Sequence, residues 1–316
     1  MDSFSKMVIY FLCWSFLAAP TAFAQDLANS TAIGKWDLEV EYGEAWFPSW
    51  LEVKLSGNKA LVGYFVAAGG SARPISEIHD KEGMISFSIP PQWSGFHNMQ
   101  FTGQVKGDTL EGTLLDHMGV ARRFRGTHAP TLLYPAPEKW SKPRSLLSKN
   151  SLEGWVAQQT QKENQWFVKD GVLTSPASGV NLMTTESFKD FKLHIEFKYP
   201  EHSNSGVYLR GRYEVQVEDS HGKAPSSVYL GGIYGFLTPN ENVAKKAGEW
   251  QSYDITLVGR RVTVVANGKT IIHNQIIPGI TGGALNSREG EPGPILLQGD
   301  HGPVEYRNIT IATPAD

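Results

Sequence analysis

Between positions 194 and 218 the chain sets carboxylates, arginines, a tyrosine and a glutamine at alternate positions. His194, Glu196 and Lys198 share parity against Leu193, Ile195 and Phe197. Gly206, Tyr208, Arg210 and Arg212 oppose Val207 and Leu209, while Glu214, Gln216 and Glu218 oppose Tyr213, Val215 and Val217. Side chains alternate across a strand. Three such strands side by side therefore predict one sheet face carrying Glu196, Tyr208, Arg210, Glu214, Gln216 and Glu218. Paired carboxylates suit general acid–base work, and Arg, Gln and Tyr offer donors and acceptors for sugar hydroxyls. The plain alternative is a solvated outer face laced with cross-strand ion pairs. Such faces are richer in Lys, Ser and Thr than this one.

Other chemistry is thinly represented. The sequence has no Gly-x-Ser-x-Gly elbow, phosphate loop or dinucleotide fingerprint. Its nine histidines are scattered. Asp300-His301 could contribute metal ligands, although an adjacent pair in a loop is more often structural. No cofactor is called for, and a divalent metal stays compatible with these residues. Trp46, Phe47, Trp50 and Trp93 could stack on sugar rings, but aromatics in a small β domain more commonly fill its core. Trp155, Trp166 and Trp250 read as core anchors.

The elements that must position these residues are strands. Residues 36–42, 51–55, 192–199, 253–258 and 261–265 alternate apolar and polar positions, which puts one face on a core. Lys106-Gly107-Asp108 marks one hairpin, Gly259-Arg260 joins another, and Asn267-Gly268 is a two-residue hairpin signal. No stretch sustains helical periodicity. The expectation is an all-β chain: a small antiparallel barrel or sandwich over residues 25–128, then a large two-sheet jelly roll over residues 146–314. Residues 129–145 hold Pro130, Pro135, Pro137 and Pro143 and read as a semi-rigid linker. The part beyond it is expected to fold by itself.

The chain has 316 residues, 41% hydrophobic and 19% charged, with a net charge of -3. That suffices for two cores, and the absence of a basic stripe speaks against nucleic acid. Lys6, the apolar run over residues 7–19, Pro20 and Ala22-Phe23-Ala24 before Gln25 form the order of a signal peptide over residues 1–24. The expectation is bacterial-type export to the periplasm or the medium, with no membrane association after cleavage. The single cysteine, Cys13, falls in this segment, so the mature chain would have neither disulfide nor thiol chemistry.

The order of short motifs carries a more specific signal. It runs Gly154-Trp155; Trp166 with Asp170-Gly171; residues 204–210 (Asn-Ser-Gly-Val-Tyr-Leu-Arg); Tyr213-Glu214-Val215-Gln216 with Asp219; Gly231-Gly232-Ile233-Tyr234-Gly235; Gly248-Glu249-Trp250; and Leu297-Gln298 with His301-Gly302. Over residues 146–312 this resembles the 3-keto-disaccharide hydrolase family. The segment from His221 to Tyr229 is shorter than its usual counterpart. The resemblance implies a concanavalin-like jelly roll acting on a carbohydrate, in which a 3-keto group acidifies the C2 hydrogen and the C1 substituent leaves by elimination, followed by hydration. It implies Glu214 or Glu196 as base, Arg210 as enolate stabiliser and His301 or Asp219 as acid. Tyr208, Gln216, Tyr234 and Gln298 would hold the substrate. A lectin-like carbohydrate-binding protein is the alternative on the same fold.

Overall fold

Alternating side chains close the N-terminal strands on themselves. In the computed structural model, which describes residues 27–93 and 95–315, eight antiparallel strands form a closed barrel. They are β1 (Gly34–Tyr42), β2 (Ala45–Ser56), β3 (Ala60–Val66), β4 (Arg73–Lys81), β5 (Met84–Ile89), β6 (Met99–Lys106), β7 (Thr109–Leu115) and β8 (Ala121–His128). Closure leaves no unpaired sheet edge. The interior is filled by Leu38, Val53, Ile85, Leu110 and a stack of Phe65, Phe87, Phe101 and Phe124. The expected signal segment, residues 1–24, lies outside the described residues.

The C-terminal part is a two-sheet sandwich of β9 (Arg144–Ser145), β10 (Trp155–Ala157), β11 (Phe167–Lys169), β12 (Val172–Ser175), β13 (Leu182–Thr184), β14 (Phe191–Lys198) and β15 (Asn204–Leu209). It continues through β16 (Tyr213–Glu218), β17 (Gln251–Val258), β18 (Arg261–Ala266), β19 (Lys269–Ile276), β20 (Leu296–Leu297) and β21 (Val304–Ala312). One sheet runs β10-β13-β20-β15-β16; the other runs β11-β12-β21-β14-β17-β18-β19, with β9 pairing off β21. Val207, Val215 and Val217 from the first and Ile195, Phe197, Ile255 and Leu257 from the second share one buried core. Asn267 and Gly268 both take positive φ, 50° and 79°, and join Ala266 to Lys269 in the hairpin their types call for. The fold is all-β, a barrel followed by a jelly-roll sandwich.

Barrel and sandwich are not loosely tethered. Trp50 of β2 is fully buried, belongs to the sandwich's core and meets Phe236 edge-on at 5.3 Å between ring centroids. Losing it would cost about 3–5 kcal/mol on the scale of large-to-small core changes. Beside it, Ser287 donates to the Leu38 carbonyl at 2.5 Å. The buried Arg260 guanidinium pairs with Glu289, and the Pro130 carbonyl accepts from the same guanidinium at 3.1 Å. Burial, with Glu289 alongside, pushes the Asp37 carboxyl up to about 9. Separate folding of the sandwich, expected from the Pro-rich linker, conflicts with this packing, because its core would lose Trp50 and Val66.

Candidate active site

The site grows from the β15–β16 hairpin. The register sets Tyr208 opposite Glu214, Gly206 opposite Gln216, and Asn204 opposite Glu218, so these six share the face turned away from the sandwich core. On the other flank, β20 pairs with β15 and its continuation brings Gln298 beside Gly206, with the Gln298 N–H donating to the Gly206 carbonyl at 2.9 Å. Gly206 is the floor. A Cβ there would lie 2.1 Å from Oε1 of Glu214, so a side chain at 206 would displace the carboxyl.

This face is polar yet buried. Glu214 is 3% exposed, Tyr208 3%, Gln216 4% and Gln298 9%. Its cover comes from loops: the Tyr234 N–H donates to the Glu214 carbonyl at 3.0 Å, and Thr281 Oγ1 accepts from the Glu214 N–H at 3.0 Å. The Tyr208 hydroxyl stands 3.0 Å from Glu214 Oε2 and 3.0 Å from the Gly282 carbonyl oxygen. A phenol has one proton and cannot serve both acceptors. With Tyr208 donating to Gly282, a protonated Glu214 donates to Tyr208, and both contacts are satisfied. Burial pushes the Glu214 carboxyl up to about 8, against the opposing pull of Tyr208 and His301.

His301 and Asp300 close one side, with Nδ1 of His301 2.5 Å from Oδ1 of Asp300. That hydrogen bond raises the His301 pKa against the effect of burial, and the Glu214 and Glu218 charges add to it. Burial works against the Asp300 carboxylate, but its hydrogen bond to His301, the His301 charge and smaller contributions from a backbone hydrogen bond and Lys162 together hold the group below its ordinary value. Burial and the Glu214 charge raise the Tyr234 phenol. The Oε1 atoms of Gln216 and Gln298 are buried with no hydrogen-bond partner among the described residues. A buried acceptor left unmet costs about 1–3 kcal/mol, so both amides are poised for a ligand's hydroxyls. No group of three or more His, Asp and Glu side chains is placed to hold a metal ion among the described residues.

Six of the residues singled out from sequence therefore converge: Tyr208, Glu214, Gln216, Tyr234, Gln298 and His301. Three do not. Glu196 sits on β14, which pairs with β17 and β21 rather than β15, so it faces outward from the opposite sheet. There its carboxylate accepts from Arg307 Nε and Asn308 Nδ2, each at 2.7 Å. Arg210 is fully buried and starts the turn at φ 53°. The left-handed turn breaks the strand parity, and its guanidinium goes to the Gly259 carbonyl at 2.6 Å and the Tyr213 hydroxyl at 3.1 Å. Asp219 follows β16 with opposite parity and accepts the His202 N–H at 2.9 Å. Trp250 is half-buried beneath the Arg307 guanidinium, 3.9 Å from its ring centroid, rather than in the core. Sequence reasoning missed Thr281, Gly282 and Gln92, loop residues whose approach no periodicity announces.

Comparison with known proteins now bears on this geometry. Residues 142–312 match the family described as a 3-keto-alpha-glucoside-1,2-lyase-like domain. The chain belongs to this family. The match spans more than half of the chain and contains every converging residue. Similar solved structures include a Parabacteroides distasonis ATCC 8503 protein provisionally described as a glycosyl hydrolase, at 28% identity and TM-score 0.46, covering 57% of this chain and 92% of that one. A second from the same organism, with the same description, shows 27% identity and TM-score 0.43, covering 54% and 98%. The carbohydrate-binding module CBM66 from Bacillus subtilis shows 11% identity and TM-score 0.32, covering 50% and 94%. No curated protein matches. The family makes this a carbohydrate-active protein of the glycoside-cleaving type, with a carbohydrate as its substrate.

Proposed function

We propose that this protein cleaves 3-keto-glycosides by elimination and hydration, with Glu214 as the base. The supporting observation is a single carboxyl, buried and raised to about 8, between two glutamine amides with unmet acceptors. A carboxylate of raised pKa is a stronger base than an ordinary one and better matched to a carbon acid. Its ionised fraction grows as pH rises toward about 8. Glu214 takes the C2 proton, the C2–H electron pair forms the C1–C2 double bond conjugated to the 3-keto group, and the C1–O pair leaves with the aglycone oxygen. His301, held protonated by Asp300, supplies the proton to that oxygen. Water then adds, hydroxyl to C1 and hydrogen to C2. The net change is one glycosidic bond hydrolysed. Tyr208 shuttles its proton between Gly282 and Glu214 as the carboxyl changes charge, and Gln216 and Gln298 fix the ring.

The deciding experiment sets a 3-keto-glucoside against its unoxidised parent and against the C2-deuterated 3-keto substrate. Cleavage confined to the oxidised sugar, slowed severalfold by deuterium, is expected. Equal cleavage of the unoxidised parent would replace this route with two-carboxylate hydrolysis. Binding of both without turnover would make the protein lectin-like. Export to the periplasm or medium is part of the same proposal and rests on the order of residues 1–24. Mass measurement of the exported chain should give an N-terminus at Gln25.

A further inference from the structure

The end of the barrel that meets the sandwich has a cavity of about 130 Å³, walled by Phe65, Ala67, Ile89, Pro91 and Met99, with Arg73 as its charged member. Trp93 lines it and is 67% exposed; Phe96, three residues on, is 83% exposed. Trp93 is thus bared at the mouth of an apolar cavity, the kind of exposed apolar surface that marks a ligand-binding groove. This rim touches the active site. Gln92 Oε1 accepts the Ser71 N–H at 3.1 Å and its Nε2 donates to Ser71 Oγ at 3.1 Å, while its amide also reaches the Tyr234 hydroxyl. A Cβ on Gly70 would lie 3.1 Å from the Trp93 ring, and a Cβ on Gly282 would lie 2.0 Å from the Gly70 carbonyl oxygen. The carbonyl of Gly282 is the one that faces Tyr208, next to Glu214. Trp93 is linked to the base through a chain of contacts, from Trp93 to Gly70, Gly70 to Gly282, Gly282 to Tyr208 and Tyr208 to Glu214.

We propose that the barrel mouth is the aglycone subsite and that it takes a single aromatic ring, so that the preferred substrates are aryl glycosides. This rests on the reading of the site as a 3-keto-glycoside lyase. The cavity, at about 130 Å³, is close to the roughly 150 Å³ that holds a whole benzene, and it opens at its mouth, so one ring can enter with its outer edge against Trp93. A second sugar would bring several hydroxyls to a mostly apolar lining whose polar side chains are Tyr42, Arg73, Gln92 and His117, and Gln92 is already engaged with Ser71. Arg73 has no carboxylate within ion-pair distance among the described residues, and the negative charge that develops on a phenolic leaving oxygen before His301 protonates it is what this guanidinium would complement.

The test uses the full mature chain, wild type and Trp93→Ala, an exposed position where truncation spares the fold. Phenyl, methyl and glucosyl 3-keto-glucosides are compared by kcat/KM, and phenol alone is titrated against each protein by calorimetry. The wild type should prefer the phenyl to the methyl substrate, Trp93→Ala should shrink that preference at least about tenfold, and Trp93→Phe should restore most of it. Phenol should bind the wild type at millimolar concentration and not Trp93→Ala. An unchanged phenyl-to-methyl ratio in Trp93→Ala would overturn the subsite while leaving the lyase reading intact. A Trp93-dependent preference for the glucosyl substrate would overturn it in favour of a sugar subsite. Trp93-dependent phenol binding with no turnover of any 3-keto substrate would leave a ring-binding site at the barrel mouth but sink the lyase, and with it the aglycone role.

Discussion

Glu196 and Glu214 are the same residue type on strands of one sandwich, and their surroundings drive them in opposite directions. Glu196 faces outward from β14. Burial works against its charge, but hydrogen bonds from Asn308 and Arg307 outweigh it and hold the carboxyl below its ordinary value. Glu214 has no cation in hydrogen-bond contact among the described residues, and burial raises it to about 8. The first is held toward its charged form and spends that charge on a guanidinium. The second stays protonated until a small free-energy change removes its proton, which is the condition for proton transfer. Proximity on a strand pattern is therefore no guide to role; what the charge meets is.

The largest effect should come from exchanging each for glutamine. Glu214→Gln should lose about 10²–10⁴ in kcat on a 3-keto-glucoside, while Glu196→Gln keeps kcat within about threefold, and equal losses would erase the contrast. In the wild type, kcat/KM should rise with pH toward about 8, as Glu214 ionises.

Stability against pH should separate the pair by sign. Glu214 binds its proton more tightly folded than unfolded, so its contribution is fully present below about 4.5 and is lost as pH rises to about 8. Glu214→Gln should remove that slope and gain on the order of 3 kcal/mol over the wild type at pH 9, read by urea denaturation. Glu196 has a lowered folded value. Its contribution is present above about 4.5, is lost as pH falls, and is worth about 1 kcal/mol or less because the pair is partly solvated.

Arg210→Met tests the third member of the original grouping. It should destabilise the protein by about 2–3 kcal/mol, since the Gly259 carbonyl and the Tyr213 hydroxyl lose their donor, with kcat unchanged. A fall in kcat at unaltered stability would return Arg210 to the site. The smallest effect is expected at Asp219→Asn, under about 1 kcal/mol, because the amide oxygen still accepts the His202 N–H.

Much of this was legible in the chain. Period-two alternation gave the strands, the turn residues gave the hairpins at Gly107-Asp108, Gly259-Arg260 and Asn267-Gly268, and parity put Tyr208, Glu214, Gln216 and Glu218 on one face. Parity failed where a residue left the strand, as Arg210 did at its positive φ. Adjacency failed at Glu196, because β14 and β15 are consecutive in sequence but belong to different sheets. Local pattern fixes which way a side chain points within a strand; it does not say which strand lies next to it. The alternative of a solvated polar face failed for a related reason, since loops more than 60 residues away cover it, as Thr281 and Gly282 show.

The linker, finally, sets the terms on which the barrel takes part. Its Leu132 carbonyl accepts the Arg260 N–H at 3.0 Å, and Gly259 presses so close to Leu132 that a Cβ would stand 2.0 Å from that oxygen. A module swinging on a free tether meets its neighbour at an effective concentration of millimolar order, and a ligand bridging the two gives up part of its binding energy to hold them together. Here that ordering is completed during folding. On the proposed subsite, a bridging substrate would meet barrel and sandwich already fixed, would keep its contact energy for the reacting ring, and would be selected by length as by a fixed gauge.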